Sequence, residues 1–293
     1  MKNNNPEPNE NQSKVYALFY SFFLIPFMLA IFGALFFFMF QFLTYEKNTP
    51  IDLLNNIQSG SATKRWQSAF ELSNMLTPDK INDKLLFENK LKDLFEKSKY
   101  DDSKVRTYLA LAMGKTENEN FGNVLLDALN DEDKFVRIAG IKSLGLLKYE
   151  ASCDKLAEII RGSDENAEKL AAIISLGMIG NTTYSDVLVE MLESEEPNLR
   201  WDSGIALIKM NNSSGVPMVE KLLKRDYYKA FPAKDDGSGL DLEEIENSLF
   251  VSIGASRVYI DNTFKDELIF LSKNDRSIKV REFALKTIDE YYK

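Results

Sequence analysis

The chain has 293 residues, 36 of them basic and 45 acidic, for a net charge of −9. A field of that sign cannot displace counterions from phosphates, which excludes tight nucleic-acid binding, and anionic lipid headgroups repel it. Histidine, the commonest metal ligand and general base, is absent, and the single cysteine, Cys153, rules out an intramolecular disulfide.

Residues 1–14, MKNNNPEPNENQSK, are polar and rich in Asn and Pro, and read as a disordered tail. Residues 15–45 carry no charge and hold half of the chain's 20 Phe. About 20 apolar residues suffice for a membrane-crossing helix. Tyr16 and Tyr20 near one end and Tyr45 at the other stand where interfacial aromatics belong. The run is longer than the apolar core of a signal peptide and lacks a small-residue cleavage site. It therefore predicts a retained, single-pass anchor in the inner cell membrane, with its lipid contact made by this helix. Pro26 predicts a kink, which a span tolerates. Ala30, Gly33 and Ala34 share one face, either as a helix-packing patch or as ordinary span composition. Lys14 abuts one end and Glu46 the other, with Lys47 next. The basic residues nearly balance, and the reading leans to an N-terminus inside and the remainder outside the cytoplasm.

Residues 46–60 read as a linker with a short capping helix. Thr49-Pro50 has the form of an N-cap followed by Pro at the first helical position, and Ile51, Leu54 and Ile57 make an apolar stripe. A free linker is the alternative.

From residue 61 a pattern of the type V-R-x-x-A-x-x-x-L-G recurs. Aligned on its basic position it falls at Arg65, Arg106, Arg137, Lys169, Arg200, Glu246 and Arg281, spaced by 41, 31, 32, 31, 46 and 35 residues. The clearest unit runs from Phe135 to Gly145, and Glu168–Gly177 repeats it. Each unit has a second apolar-periodic half, such as Val124–Leu129, Leu156–Ile160, Val187–Leu192 and Met218–Leu223. Two helices joined by a turn cannot bury their apolar faces alone, so the units must stack. The glycines after the first helices, Gly114, Gly145 and Gly177, predict left-handed C-caps. Asn130, Asp131 and Asp133 are alternative caps for the helix carrying Val136, and Ser277 for the one carrying Val280.

On these residues the chain over 61–293 resembles a HEAT-repeat array of the short bacterial type named after phycobilisome lyases. The match is good over 103–223 and weaker outside. The resemblance implies an all-α fold, an α-solenoid of about six to seven helical hairpins behind one transmembrane helix, with a curved protein-binding surface lined by the second helices. It also implies that Ala110, Ala139, Ala171, Leu144 and Leu176 are core. Iron-binding HEAT enzymes use His–Glu pairs, which a chain without histidine cannot supply, and no phosphate loop, nucleophile elbow or Cys-x-x-Cys is present. No cofactor or metal is expected and no catalytic residue is assigned.

Candidate sites are therefore for binding. Asp127, Glu158, Glu190 and Glu220 recur on successive second helices, as an acidic column for a basic partner segment or as an ordinary solvated face. Trp66 and Trp201 each follow a repeat Arg, as interface anchors or as fillers between units. The 46-residue spacing betrays an insertion at about 227–242, where Tyr227, Tyr228 and Phe231 precede the acidic tip Asp235-Asp236. Long loops often carry function, and a solvated linker is the alternative. The repeat arginines read as structural, holding carboxylates or helix ends. The functional expectation is a non-catalytic, membrane-anchored adaptor for another protein, itself in or beside a membrane complex. A lyase-like or cofactor-attachment enzyme, and a structural subunit of such a complex, are the alternatives.

Overall fold

The computed structural model of the protein describes residues 18–44, 48–100, 102–233 and 239–292. The expected tail at 1–14, together with Tyr16, Tyr45, Glu46, Lys47 and the acidic tip Asp235-Asp236, lies outside the described residues. Contacts divide the chain into two units, residues 1–48 and 49–293.

In the first unit, helix α1 (Ile25–Thr44) follows a π-helical turn at Tyr20–Leu24. Pro26 has no N–H to offer the carbonyl four residues back, and beside it the ladder lengthens: Ile25 N–H bonds to Tyr20 O, five back. Tyr20–Phe40 is one helix long and apolar enough to cross a membrane, with a mean hydropathy of 2.5. Its residues are exposed on every face, Ala30, Gly33 and Ala34 among them.

The second unit is an α-solenoid. A short helix α2 (Pro50–Ser59) leads it, held by a capping box in which Thr49 and Asp52 serve each other's backbone amides. Its Leu53, Leu54 and Ile57 are buried, so it covers the first repeat rather than acting as a free linker. Seven first helices follow: α3 (Ala62–Met75), α5 (Ser103–Gly114), α7 (Lys134–Leu146), α9 (Asn166–Ile179), α11 (Pro197–Lys209), α13 (Leu242–Ala255) and α15 (Ile278–Tyr291). Each carries one of the seven aligned repeat positions. The second helices are α4 (Lys84–Lys97), α6 (Gly122–Ala128), α8 (Cys153–Gly162), α10 (Ser185–Met191), α12 (Val216–Leu222) and α14 (Asn262–Asn274). First helices stack on first helices, and each second helix also packs on the first helix of the following unit. The five core residues expected from the resemblance are all buried.

The glycines behave differently from expectation. Gly114, Gly145 and Gly177 are helical residues without positive φ; among the described residues only Gly180 and Gly239 are left-handed glycines. The reason is packing. A Cβ on Gly114 would sit 2.7 Å from Ser143 Cβ, one on Gly145 2.7 Å from Ser175 Cβ, and one on Gly177 2.7 Å from Ala206 Cβ. The repeat glycine is the place where one first helix touches the next. Ser143 and Ser175 satisfy their hydroxyls at the same crossings, donating to Ala110 O at 2.8 Å and Ile141 O at 2.9 Å.

The staircase breaks at α11. The position corresponding to Gly114, Gly145 and Gly177 is Ile208 there, and the contact between α11 and α13 is slight. The core divides at the same place. One cluster runs from Leu53 to Met210, and a second runs from Trp201 to Tyr292. Tyr227, Tyr228, Phe231 and Leu240 of the insertion pack into the second cluster.

Candidate partner-binding surface

The repeat arginines are used inside the array, as their spacing implied. Each reaches back to carbonyls in the last turn of the preceding helix or in the loop just after it, where the backbone leaves acceptors unpaired. Arg137 Nη1 donates to Asp131 O and Glu132 O, Arg200 Nη1 to Ser194 O and Glu195 O, Arg106 Nη1 to Phe95 O, and Arg65 Nε to Ile57 O. Arg106 also pairs with Asp131 at 2.8 Å, and Arg137 with Glu168 of the next unit at 2.7 Å. Asp133 caps α7 by accepting from Phe135 N–H. Ser277 precedes α15 but makes no side-chain cap; Asp275 accepts its amide instead.

The four acidic positions do lie on successive second helices, but not as a column of free carboxylates. Glu190 accepts two hydrogen bonds from Arg161, which lower the Glu190 pKa. Glu158 meets Lys155 at 3.0 Å. Glu220 meets Lys224 at 2.6 Å, and Lys224 also reaches Glu267 at 3.3 Å. Asp127 alone of the four has no ion-pair partner among the described residues. It lines an open groove of about 440 Å³ with Phe95, Glu96, Lys99 and Val124. A partner meets a mosaic of acid–base pairs with one open carboxylate, a pattern that residue spacing could not show because the basic halves lie on other turns and units.

The aromatic residues need correction. Trp201 and Tyr228 are buried, at 7 % and 1 % exposure, so they are packed between units rather than displayed on the surface. Trp201 stacks edge-on against Tyr227, Tyr228 and Phe231, its Nε1–H donates to Tyr227 OH, and Tyr228 OH donates to Leu222 O. Trp201 and Tyr228 belong to the buried second cluster, and Tyr227 and Phe231 pack half-buried against it. Leu240 N–H donates to Phe231 O and closes the loop's base. Trp66 is half-buried against the first cluster, with Lys104 Nζ 5.5 Å from its ring centre. Cys153 is buried, and burial, with Glu150 and Asp154 adding to it, pushes its thiol up to about 11, so it is held as an inert packed thiol.

These features match a known repeat. The profile of the HEAT repeats fits the chain twice, over residues 91–167 and 154–230. Residues 91–230 are HEAT repeats. The HEAT array is similar to the CpcE–CpcF complex of phycocyanin lyase from Nostoc sp. PCC7120, at 18 % identity and a TM-score of 0.59, with 85 % of this chain and 90 % of that chain covered. It is also similar to an archaeal HEAT-like repeats protein from Thermococcus onnurineus NA1, at 15 % identity and a TM-score of 0.44, with 84 % and 97 % covered. At 18 % identity the likeness to the CpcE–CpcF complex is one of fold. No curated protein matches the chain. A HEAT solenoid is suited to protein binding. Among the described residues no cluster of acidic or cysteine side chains has the arrangement of a metal site.

Sequence reasoning missed Asp202. It stands two residues after Arg200, where the HEAT units at Arg137 and Lys169 place the buried Ala139 and Ala171. It lines a cleft of about 200 Å³ and has no hydrogen-bond or ion-pair partner among the described residues. Burial pushes its carboxyl up to about 6, against the opposing pull of Lys209. Because the folded value lies above the ordinary 3.8, the folded chain holds a proton between about pH 4 and pH 6 that the unfolded chain releases. Stability therefore falls as pH rises through that window. Asp202→Asn is expected to stabilise the array at pH 7.5 by about 1–2 kcal/mol, discounted for partial exposure, and to do little at pH 4. Thermal unfolding of wild type and variant at the two pH values checks this; an equal shift at both rejects the titration account.

Proposed function

We propose that this protein is a single-pass, membrane-tethered adaptor whose HEAT array binds another protein at the membrane surface. The observation that carries the reading is the Tyr20–Phe40 helix, apolar and exposed around its whole circumference, with Phe22 at 71 % and Phe38 at 65 % exposure. Soluble surfaces rarely leave uncovered more than a few hundred Å² of contiguous apolar area, and lipid is the cover that fits a helix of this length. The net charge of −9 keeps the array itself off anionic headgroups, so its broad faces stay available to proteins. Tethering raises the effective concentration of any partner in or beside the same membrane. Ala30, Gly33 and Ala34 are the positions at which a partner's span can approach the anchor. Open Asp127, together with the acid–base pairs of Glu158, Glu190 and the half-buried Glu220, makes up the face on which a partner's basic segment lands.

Membrane fractions carrying the full chain test the anchor first. The protein is expected to stay in the pellet through an alkaline carbonate wash, and release would remove the tether. Extraction in mild detergent, cross-linking and identification of co-purifying proteins then test the array. An adaptor gives salt-sensitive, substoichiometric capture. A fixed stoichiometric complex would make it a structural subunit, and a coloured ligand in protein from its own host would make it a lyase-like attachment factor. Joint reversal of Asp127, Glu158 and Glu190 to Lys is expected to lower capture severalfold with helicity unchanged. Unaltered capture assigns the partner to another face.

A further inference from the structure

We propose that the cleft between α11, α12 and α13 receives one basic side chain, lysine or arginine, of the partner protein. The proposal rests on the protein-binding reading above and gives it a specific anchor point. Apolar wall comes from Trp201 and Ile205 of α11, Leu240 at the base of the insertion and Val251 of α13, and Asn198, Ser248 and Ser252 add small polar groups. Asp202 and Asn247 supply polar atoms. At about 200 Å³ the space is below the roughly 300–1,000 Å³ typical of small-molecule sites and suits one long side chain.

Charge complementarity selects the occupant. A carboxylate at a position where the units at Arg137 and Lys169 pack alanine, without a partner among the described residues, is a partly desolvated acceptor with nothing to accept from. Lys209, two turns further along α11, acts on it from a distance and does not bond it. The other charged groups on the packed elements are Arg200 of α11, Glu220 and Lys221 of α12, and Glu243, Glu244 and Glu246 of α13. An alkyl stem covers the apolar walls while its cationic head meets Asp202, the division of labour that long basic side chains perform elsewhere. Trp201 lines the same space, which makes its emission the readout for an occupant.

The test uses the full chain in mild detergent, with Trp66→Phe so that Trp201 is the sole fluorophore of its kind. N-acetyl-arginine methylamide, N-acetyl-lysine methylamide and the uncharged N-acetyl-norleucine methylamide are titrated at pH 7.5. The two cationic probes are expected to give saturable changes in Trp201 emission and the norleucine probe at least tenfold weaker ones. Asp202→Asn should weaken the cationic probes about tenfold, and so should lowering the wild type to pH 5, where the carboxyl is protonated. Equal response to norleucine, an unaffected Asp202→Asn variant, or the absence of saturation overturns the proposal. So does tighter binding of a free diamine such as cadaverine, which would mark a metabolite site. Partner cross-linking by Asp202→Asn separates the two readings: undiminished capture sinks the cleft alone, whereas probe binding by a wild type that captures no protein sinks the adaptor reading.

Discussion

Gly145→Ala is expected to destabilise the array, although the same change in an isolated helix would stabilise it. In a helix interior Ala is favoured over Gly by about 1 kcal/mol. Here the new methyl would lie 2.7 Å from Ser175 Cβ and 2.8 Å from Ser175 Cα, where ordinary contact begins near 3.4 Å. Backbone is on the other side, so α7 and α9 must separate by several tenths of an ångström. That movement also stretches the bond from Ser175 Oγ to Ile141 O. Overpacking of this kind costs typically about 1–3 kcal/mol, and in a solenoid it falls on a nearest-neighbour interface that couples all the units on either side. We expect a net loss of about 1–2 kcal/mol for Ala and more than about 3 kcal/mol for Leu, read as a lower unfolding midpoint at roughly 2–4 °C per kcal/mol. Gly254 is the internal control. It occupies the same repeat position in α13, yet nothing lies within 4 Å of a Cβ placed there. Gly254→Ala should raise the midpoint. If both variants move in the same direction, close helix approach is not what the repeat glycines provide.

That contrast also measures what was legible in the chain. The period of about 31 residues, the helix pairs and the core alanines and leucines follow from apolar spacing, because stacked hairpins have one way to bury two stripes each. The repeat glycines were visible but misassigned. A glycine near a helix end and a glycine at a helix crossing look alike until the neighbour is known. Ile208 was the missing sign: a bulky residue in the glycine register, coincident with the 46-residue spacing, announces a widened step. With that step recognised, Trp201, Tyr228 and Phe231 become packing between units, and Asp202, where the two clearest units hold alanine, becomes the exception to explain. The acidic positions were located correctly on the second helices, but their charge state as a surface depended on Lys155, Arg161 and Lys224, whose partners no local pattern gives.

Asp275→Ala is expected to produce the largest loss among polar substitutions. Asp275 is buried in the loop before α15, its side chain 1 % exposed, and Arg225 of the turn after α12 is 16 % exposed. Arg225 donates through Nε at 2.6 Å and through Nη2 at 2.9 Å, a two-point bond across 50 residues of sequence. Asp275 Oδ1 also accepts from Ser277 N–H at 2.8 Å, which supplies the cap that the Ser277 side chain does not. Truncation strands a desolvated guanidinium whose Nη1 already lacks a partner. Removing one member of a buried pair costs about 3–5 kcal/mol, to which the lost cap adds about 1 kcal/mol. Replacing both, as Arg225→Met with Asp275→Leu, removes the stranded charge and should recover much of the loss. Glu190→Ala, which opens the solvent-exposed pair with Arg161, should leave the midpoint where it is. Urea unfolding of the three variants and the corresponding double-mutant cycle decide the matter. A cycle with no coupling between 225 and 275 would mean that the insertion and the last hairpin hold together by the Trp201–Tyr292 core alone, and that the bidentate bond only decorates an interface already made by apolar packing.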